Sequence, residues 1–280
     1  MPELPEVETV RRGLVQALLC KRFSDVFVYR SDLRFPIPEN FCSALKGRTV
    51  SELVRRGKYI VGILDSGCAF ILHLGMSGRA KIFDSQTPYH PEKHDHVMLE
   101  TEDGIRIVYH DPRRFGFIRL EDAAKWQELP PFDRMGPEPM AEEHVFNGQI
   151  LREVLLSRSG PVKNVLLDQR VVAGLGNIYV CEALFDAGIS PERSAYSLGE
   201  SECSRLARSI RKILERAIDA GGSTLRDYQK TDGSLGYFQH QFSVYGREGR
   251  PCGGCDCGKG AVVRTVQAGR STFSCPVKQV

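Results

Sequence analysis

The stretch Leu129-Pro-Pro-Phe-Asp-Arg-Met-Gly-Pro-Glu-Pro139 decides the fold, because the hydrophobic period of the chain changes across it. Its prolines deny the backbone the N–H groups and the φ freedom that a helix or a central strand needs, so it reads as a hinge and a domain boundary. On its N-terminal side, from about residue 23 to 120, short apolar runs rich in Val, Ile and Phe (26–29, 59–64, 69–74 and 105–109) are separated by Gly, Asp and Pro. That pattern predicts a β-sandwich or barrel. Ahead of it, Leu4, Val7, Val10, Leu14 and Leu18 recur at three- and four-residue spacing and predict an N-terminal amphipathic helix.

On the C-terminal side of the hinge the period is helical. Residues 161–168 read as a short helix opened by proline, and 177–187 as a second one capped by Asn177 and stopped at Gly188. The link Gln169-Arg-Val-Val-Ala-Gly-Leu-Gly176 is a tight helix-to-helix connection whose exposed amides suit a phosphate. A longer helix follows, with Ser197 and Glu200 as an S-x-x-E capping box and Gly221-Gly222 at its end. Its Arg205, Arg208, Arg211, Lys212 and Arg216 read as a solvated face. The fold class is therefore α+β and multidomain.

The composition of the 280 residues, 41% apolar and 26% charged, excludes disorder and collagen. The longest stretch without Asp, Glu, Lys or Arg, residues 233–246, is 14 long, short of the ~20 a spanning helix needs. No membrane span is expected. The start lacks a basic segment followed by an apolar one, so the expected compartment is the cytoplasm. The net charge of +3 divides unevenly: 20 basic against 22 acidic residues through Ile150, then 18 against 13. A basic second half is compatible with a polyanionic partner or with a plain solvated surface. Cys20, Cys42, Cys68, Cys181 and Cys203 lie in apolar surroundings and read as small buried hydrophobes. Cys252, Cys255, Cys257 and Cys275 crowd the last 29 residues and read as a metal site.

Four segments carry chemistry. Removal of Met1 would make Pro2 an N-terminal secondary amine, and an α-amino group with a reference pKa near 7.7–8.0 is partly neutral at physiological pH. Such an amine is a nucleophile, with Glu3 beside it and Glu6 one turn on as acid–base carboxylates. The same residues also suit plain helix initiation. Lys58 follows a glycine at the edge of a strand-like run. His73-Leu-Gly-Met-Ser-Gly78 and His110-Asp-Pro-Arg-Arg-Phe-Gly116 are turn-rich, and an exposed Met76 or Phe115 near Arg113 would form a wedge for a base stack or ordinary loop packing.

Taken together with Met1-Pro-Glu-Leu-Pro-Glu-Val-Glu-Thr9, Arg56-Gly-Lys-Tyr59, Lys93-His-Asp-His96, Gly174-Leu-Gly-Asn-Ile-Tyr179 and Gly269-Arg-Ser-Thr-Phe273, these segments occur in one order across the whole chain. The chain closely resembles the formamidopyrimidine-DNA glycosylases of bacterial base-excision repair. Leu4-Pro5, with the loop 227–246, matches the oxidised-purine branch rather than its oxidised-pyrimidine sister. The resemblance implies an N-terminal β-sandwich domain with its helix (1–130), a helical helix–two-turn–helix domain (131–240) and a C-terminal zinc-finger-like β-hairpin (245–280), with DNA in the cleft between them. It implies a bifunctional glycosylase/AP lyase acting on 8-oxoguanine and formamidopyrimidines in duplex DNA, as a monomer associated with the nucleoid. The roles carried over are nucleophile for Pro2, proton donor and acceptor for Glu3, and proton donors for β- and δ-elimination for Lys58 and Arg270. Met76, Arg113 and Phe115 match inserting residues, and His94, Arg158, Lys163 and Asn177 match DNA contacts. A rival from another class is a catalytically impaired DNA-damage binding protein of the same fold.

One departure stands out. The family's second zinc knuckle follows Gly-Arg-Ser-Thr-Phe as C-P-x-C, but here it reads Cys275-Pro-Val-Lys278. An ammonium is a poor zinc ligand. Either Cys257 substitutes as fourth ligand beside Cys252, Cys255 and Cys275, or three thiolates and water hold the zinc, or the finger is metal-free. The expected set is the first, with Cys257 as fourth ligand.

Overall fold

The computed structural model describes residues 2–224, 230–253, 255 and 260–280. The chain divides into two compact units, Met1–Asp133 with Ala220–Tyr237, and Arg134–Asp219 with Phe238–Val280.

The first unit opens with α1 (Leu4–Leu18), whose Leu4, Val7, Val10, Leu14 and Leu18 are buried at the predicted spacing. It continues through β1 (Phe23–Val28), α2 (Phe41–Leu45), β2 (Val50–Arg56), β3 (Tyr59–Leu64), β4 (Cys68–His73), β5 (Arg79–Phe83), β6 (Asp95–Thr101), β7 (Arg106–His110) and β8 (Phe117–Asp122). The strands form two four-stranded sheets in the orders β1-β6-β7-β5 and β2-β3-β4-β8, every pair antiparallel. The core between them takes Phe23, Ile60, Phe70, Leu72, Val97, Leu99, Ile107 and Ile118, capped by the apolar stripe of α1. Each of β1 and β2 buries two apolar side chains in this core, Phe23 and Val26, and Val50 and Leu53. Ala220–Tyr237 joins this unit: Thr231 packs against Gly13 of α1, and its carbonyl accepts from the Ile82 N–H of β5 at 3.0 Å.

The second unit holds α3 (Gly148–Leu156), α4 (Val162–Leu166), α5 (Asn177–Ala187) and α6 (Glu200–Asp219), then the hairpin β9 (Val263–Gln267) and β10 (Arg270–Ser274). Asn147 caps α3, its side chain accepting from the Ile150 N–H at 3.0 Å. Gly188 ends α5 in the left-handed region at φ +67°, as its place after the apolar stripe predicts. Two predicted caps are corrected. The N-cap of α5 is Gly176, and Asn177 turns its amide elsewhere. Ser197 sits in a separate 3-10 turn, its hydroxyl donating to the Ser194 carbonyl, and Glu202 rather than Glu200 accepts from the Gly199 N–H ahead of α6. The basic face of α6 is also not merely solvated: Arg205 donates to the Ala187 carbonyl, Arg211 to that of Phe146, and Lys212 to Asp186. Cys20 departs from its reading too, being exposed at φ +60°, while Cys42 and Cys68 are half-buried. Among the described residues no helix is long and apolar enough to cross a membrane.

Candidate active site and DNA contacts

In the first unit the chain start is packed rather than loose. Pro2 is buried, and Glu3, 4% exposed, is the N-cap of α1 in extended backbone. The Glu3 N–H donates to Glu6 Oε2 at 2.8 Å, and Glu6 Oε1 accepts from the Ser223 N–H at 2.8 Å and the Ser223 hydroxyl at 3.0 Å. A buried carboxylate thus fixes the backbone that carries Pro2 and Glu3, so Glu6 acts as a brace rather than as the acid–base group its spacing also allowed.

Lys58 is buried just after Gly57, whose φ of +56° makes the turn between β2 and β3. Burial first, and then the charges of Lys58 and Arg34, push the His73 imidazole down to about 4. His73 is therefore neutral at physiological pH, and its Nδ1 accepts from the Gly75 N–H at 3.1 Å, holding the loop that carries Met76. A Cβ on Gly75 would lie 2.3 Å from the Gly116 nitrogen. The two loops meet backbone to backbone, and only glycine permits it. Asp111, fully buried, binds them together: its carboxylate accepts from the Ser77 hydroxyl at 2.6 Å, the Tyr109 hydroxyl at 3.1 Å, and the N–H groups of Gly116 and Arg113 at 2.9 and 3.2 Å. On this frame Met76 is half-buried, while Arg113 is exposed and stacks 4.9 Å from the ring of Phe115, itself 45% exposed. A cation and an aromatic ring at a rigid loop tip suit insertion among stacked bases. His94 is half-buried, edge-on to His110, whose Nδ1 lies 2.7 Å from Asp95.

In the second unit three expected residues converge on β10. The Ser271 carbonyl accepts from Lys163 Nζ at 3.2 Å and from Asn177 Nδ2 at 2.9 Å, and Lys163 Nζ also donates to Thr272 Oγ1 at 2.7 Å. Burial, seconded by the charge of Arg270, lowers the Lys163 pKa against the opposing influence of Cys181. Arg270 itself is exposed, after a turn formed by Ala268 (φ +47°) and Gly269 (φ +73°), the positive pair of a two-residue hairpin. Arg158 stands apart from this group, half-buried, with its Nε buried and unbonded among the described residues.

Residues 1–118 match the family model of the formamidopyrimidine-DNA glycosylase N-terminal domain, and residues 135–229 that of the formamidopyrimidine-DNA glycosylase H2TH domain. The chain belongs to this family. A formamidopyrimidine-DNA glycosylase of Dinoroseobacter shibae is 50% identical over 283 residues, covering 99% of each chain. Two solved structures are similar over 99% of both chains, each with a TM-score of 0.87: a Lactococcus lactis Fpg variant in complex with Fapy-dG-containing DNA, 37% identical, and MutM in complex with DNA containing carbocyclic 8-oxo-G, 35% identical.

The family's metal finger is tested by the sulfurs. Cys252, Cys255 and Cys275 place their Sγ atoms within 4.8 Å of one another, with Cys252 and Cys275 3.5 Å apart. Thiolates at about 2.3 Å from one tetrahedral zinc lie about 3.8 Å apart, so the three fit. Lys278 does not complete the set: its N–H donates to Cys275 Sγ at 3.4 Å while its ammonium lies 4.0 Å from the centroid of Phe185. Cys257 lies outside the described residues. Sequence reasoning missed Glu182, buried in α5, whose carboxylate accepts from the N–H groups of Ser243, Val244 and Tyr245 at 2.8, 3.0 and 2.8 Å. It also missed His73 and Asp111 as braces, although both stand in quoted motifs.

Proposed function

We propose that the chain removes 8-oxoguanine and formamidopyrimidines from duplex DNA and cleaves the resulting abasic site, a base-excision repair glycosylase/AP lyase. The observation that carries this is the buried start of α1, where Glu6 holds Glu3 beside Pro2. With Met1 removed, the Pro2 amine attacks C1′ of the damaged nucleotide. The glycosidic C1′–N bond breaks, the base leaves, and the sugar opens to a Schiff base, with Glu3 giving and taking the protons of that step. Lys58 serves as proton donor for β-elimination and Arg270 for δ-elimination, so the strand is cut on both sides of the sugar. C1′ is shielded within the duplex, so the nucleotide must be extruded. Met76, Arg113 and Phe115 fill the void. His94, Arg158, Lys163 and Asn177 hold the backbone, fixing register without reading sequence.

The functional division proposed is 1–130, 131–240 and 245–280, with 220–237 of the second part packing in the first compact unit. The hairpin holds one zinc through Cys252, Cys255 and Cys275, with Cys257 as the fourth thiolate. When bound, the metal supplies a structural crosslink and takes no part in the chemistry. The partner is double-stranded DNA bearing oxidised purines or abasic sites.

Borohydride trapping with an oxidised-guanine duplex tests the function: a covalent adduct forms with the wild type and is lost in Pro2→Gly. No adduct with a wild type whose Met1 is removed would leave the damage-binding reading instead. Elemental analysis should find about one zinc per chain, set by the single four-thiolate site. Protein expressed in zinc-replete medium and purified without chelators, yet containing no zinc, overturns the metal assignment.

A further inference from the structure

The last six residues are anchored by contacts that need no metal. The Gln279 side chain, 5% exposed, accepts from the Cys275 N–H at 2.7 Å and donates to the Ile189 carbonyl at 2.9 Å. The Val280 carbonyl accepts from the Ser190 N–H at 3.1 Å, and the Val280 N–H donates to the Gly188 carbonyl at 3.4 Å. Both partners belong to the segment just after α5. Lys278 completes the set, its ammonium 4.0 Å from the ring of Phe185, a residue 3% exposed that packs in one apolar cluster with Cys252, Val262, Phe273 and Cys275. The aromatic face that receives the cation therefore also walls the cysteine cluster.

We infer that Lys278, docked on Phe185 and backed by Gln279, replaces the fourth thiolate as the mechanical anchor of the finger, so that the hairpin and Arg270 keep their positions when no metal is bound. The exchange lies at a single position. A cysteine there would tie the chain end to the metal, whereas this lysine ties it to the last turn of α5. A cation over an aromatic face is attracted by the ring's quadrupole, and the hydrogen bonds on either side of Lys278 hold its backbone where the half-buried side chain reaches Phe185. Lys278 is thus a positioning residue for the δ-elimination proposed for Arg270, and the inference rests on that reading only for its activity readout.

The test uses full-length wild type, Lys278→Ala and Lys278→Arg, each with and without exhaustive chelation, with bound metal quantified. Three quantities are read: amide hydrogen exchange across 263–274, affinity for a duplex carrying a tetrahydrofuran abasic analogue, and the ratio of β- to δ-elimination products. Chelated wild type and Lys278→Arg should keep hairpin protection and affinity within about twofold, while chelated Lys278→Ala loses about five- to tenfold in both, the scale of one partly exposed cation–π contact, and accumulates β-product. Loss of protection in the chelated wild type overturns the inference, as does full protection in chelated Lys278→Ala. Hydrogen exchange needs no catalysis, so an inactive enzyme with the expected exchange pattern would count against the proposed function alone.

Discussion

The Ser77 hydroxyl donates to the Asp111 carboxylate at 2.6 Å, joining the loop that carries Met76 to the loop that carries Arg113 and Phe115. Asp111 takes three further donors, so the proposed wedge is held by one buried anion.

Asp111→Asn offers an amide to groups that are themselves donors. It should destabilise the protein by about 1–3 kcal/mol, the cost of leaving buried donors unpaired. Excision from an oxidised-guanine duplex should fall more than about tenfold, while affinity for undamaged duplex stays nearly constant. Ser77→Ala should show the same pattern more weakly. Thermal unfolding with single-turnover excision measures both, and an excision rate that survives loss of the bond would separate the loop frame from base extrusion.

His73 predicts a pH dependence. Its folded pKa is lowered from 6.5 to about 4, by burial first and then by Lys58 and Arg34. Between those values the unfolded chain takes up a proton that the folded protein refuses. Stability is complete above about 6.5 and declines as pH falls toward 4, by at most about 3 kcal/mol. His73→Asn should flatten that slope in a series of thermal melts. Slopes that coincide would show that His73 is not the group responsible.

Much of this was legible in local pattern. The stripe Leu4, Val7, Val10, Leu14, Leu18 predicted α1, and the runs at 59–64 and 177–187 are β3 and α5 as read. What escaped depends on pairs distant in sequence. Ser223 reaches Glu6 across 217 positions, and no periodicity of residues 220–237 reveals that they pack with the sandwich. Asn177 looked like a cap because its type and place suit one, but a carbonyl 94 residues away takes its amide. Arg205 likewise reads as solvated until α5 supplies its partner, the Ala187 carbonyl. The missing cysteine at Lys278 was plain, whereas the destination of its side chain required Phe185.

Lys163 separates a phosphate contact from a purely internal brace. Its ammonium is buried between α4 and β10 and bonds to Ser271 and Thr272. Lys163→Met keeps the length and apolar stem but removes the charge. Binding to an abasic-analogue duplex should weaken, and the slope of log affinity against log salt should become shallower by about one if the charge neutralises a phosphate. An unchanged slope with weakened binding would assign Lys163 to holding β10 alone.

Glu182 is the brace at the other end of the finger segment. Its carboxylate, in α5, accepts from three successive N–H groups, those of Ser243, Val244 and Tyr245, a concave amide nest of the kind that binds anions. Burial pushes its pKa up, and the three N–H bonds oppose that shift. Glu182→Gln retains one acceptor oxygen for three donors, so it should cost about 1–3 kcal/mol. The loss should concentrate where the nest is: hydrogen exchange should quicken at 243–245 and along β9 and β10, but not in α3. The proposed nucleophile and Glu3 belong to the other unit, so borohydride trapping at saturating DNA should persist while affinity falls and β-product accumulates over δ-product. Trapping lost together with affinity, at DNA concentrations that saturate the variant, would place Glu182 in the chemistry rather than in the mounting of Arg270.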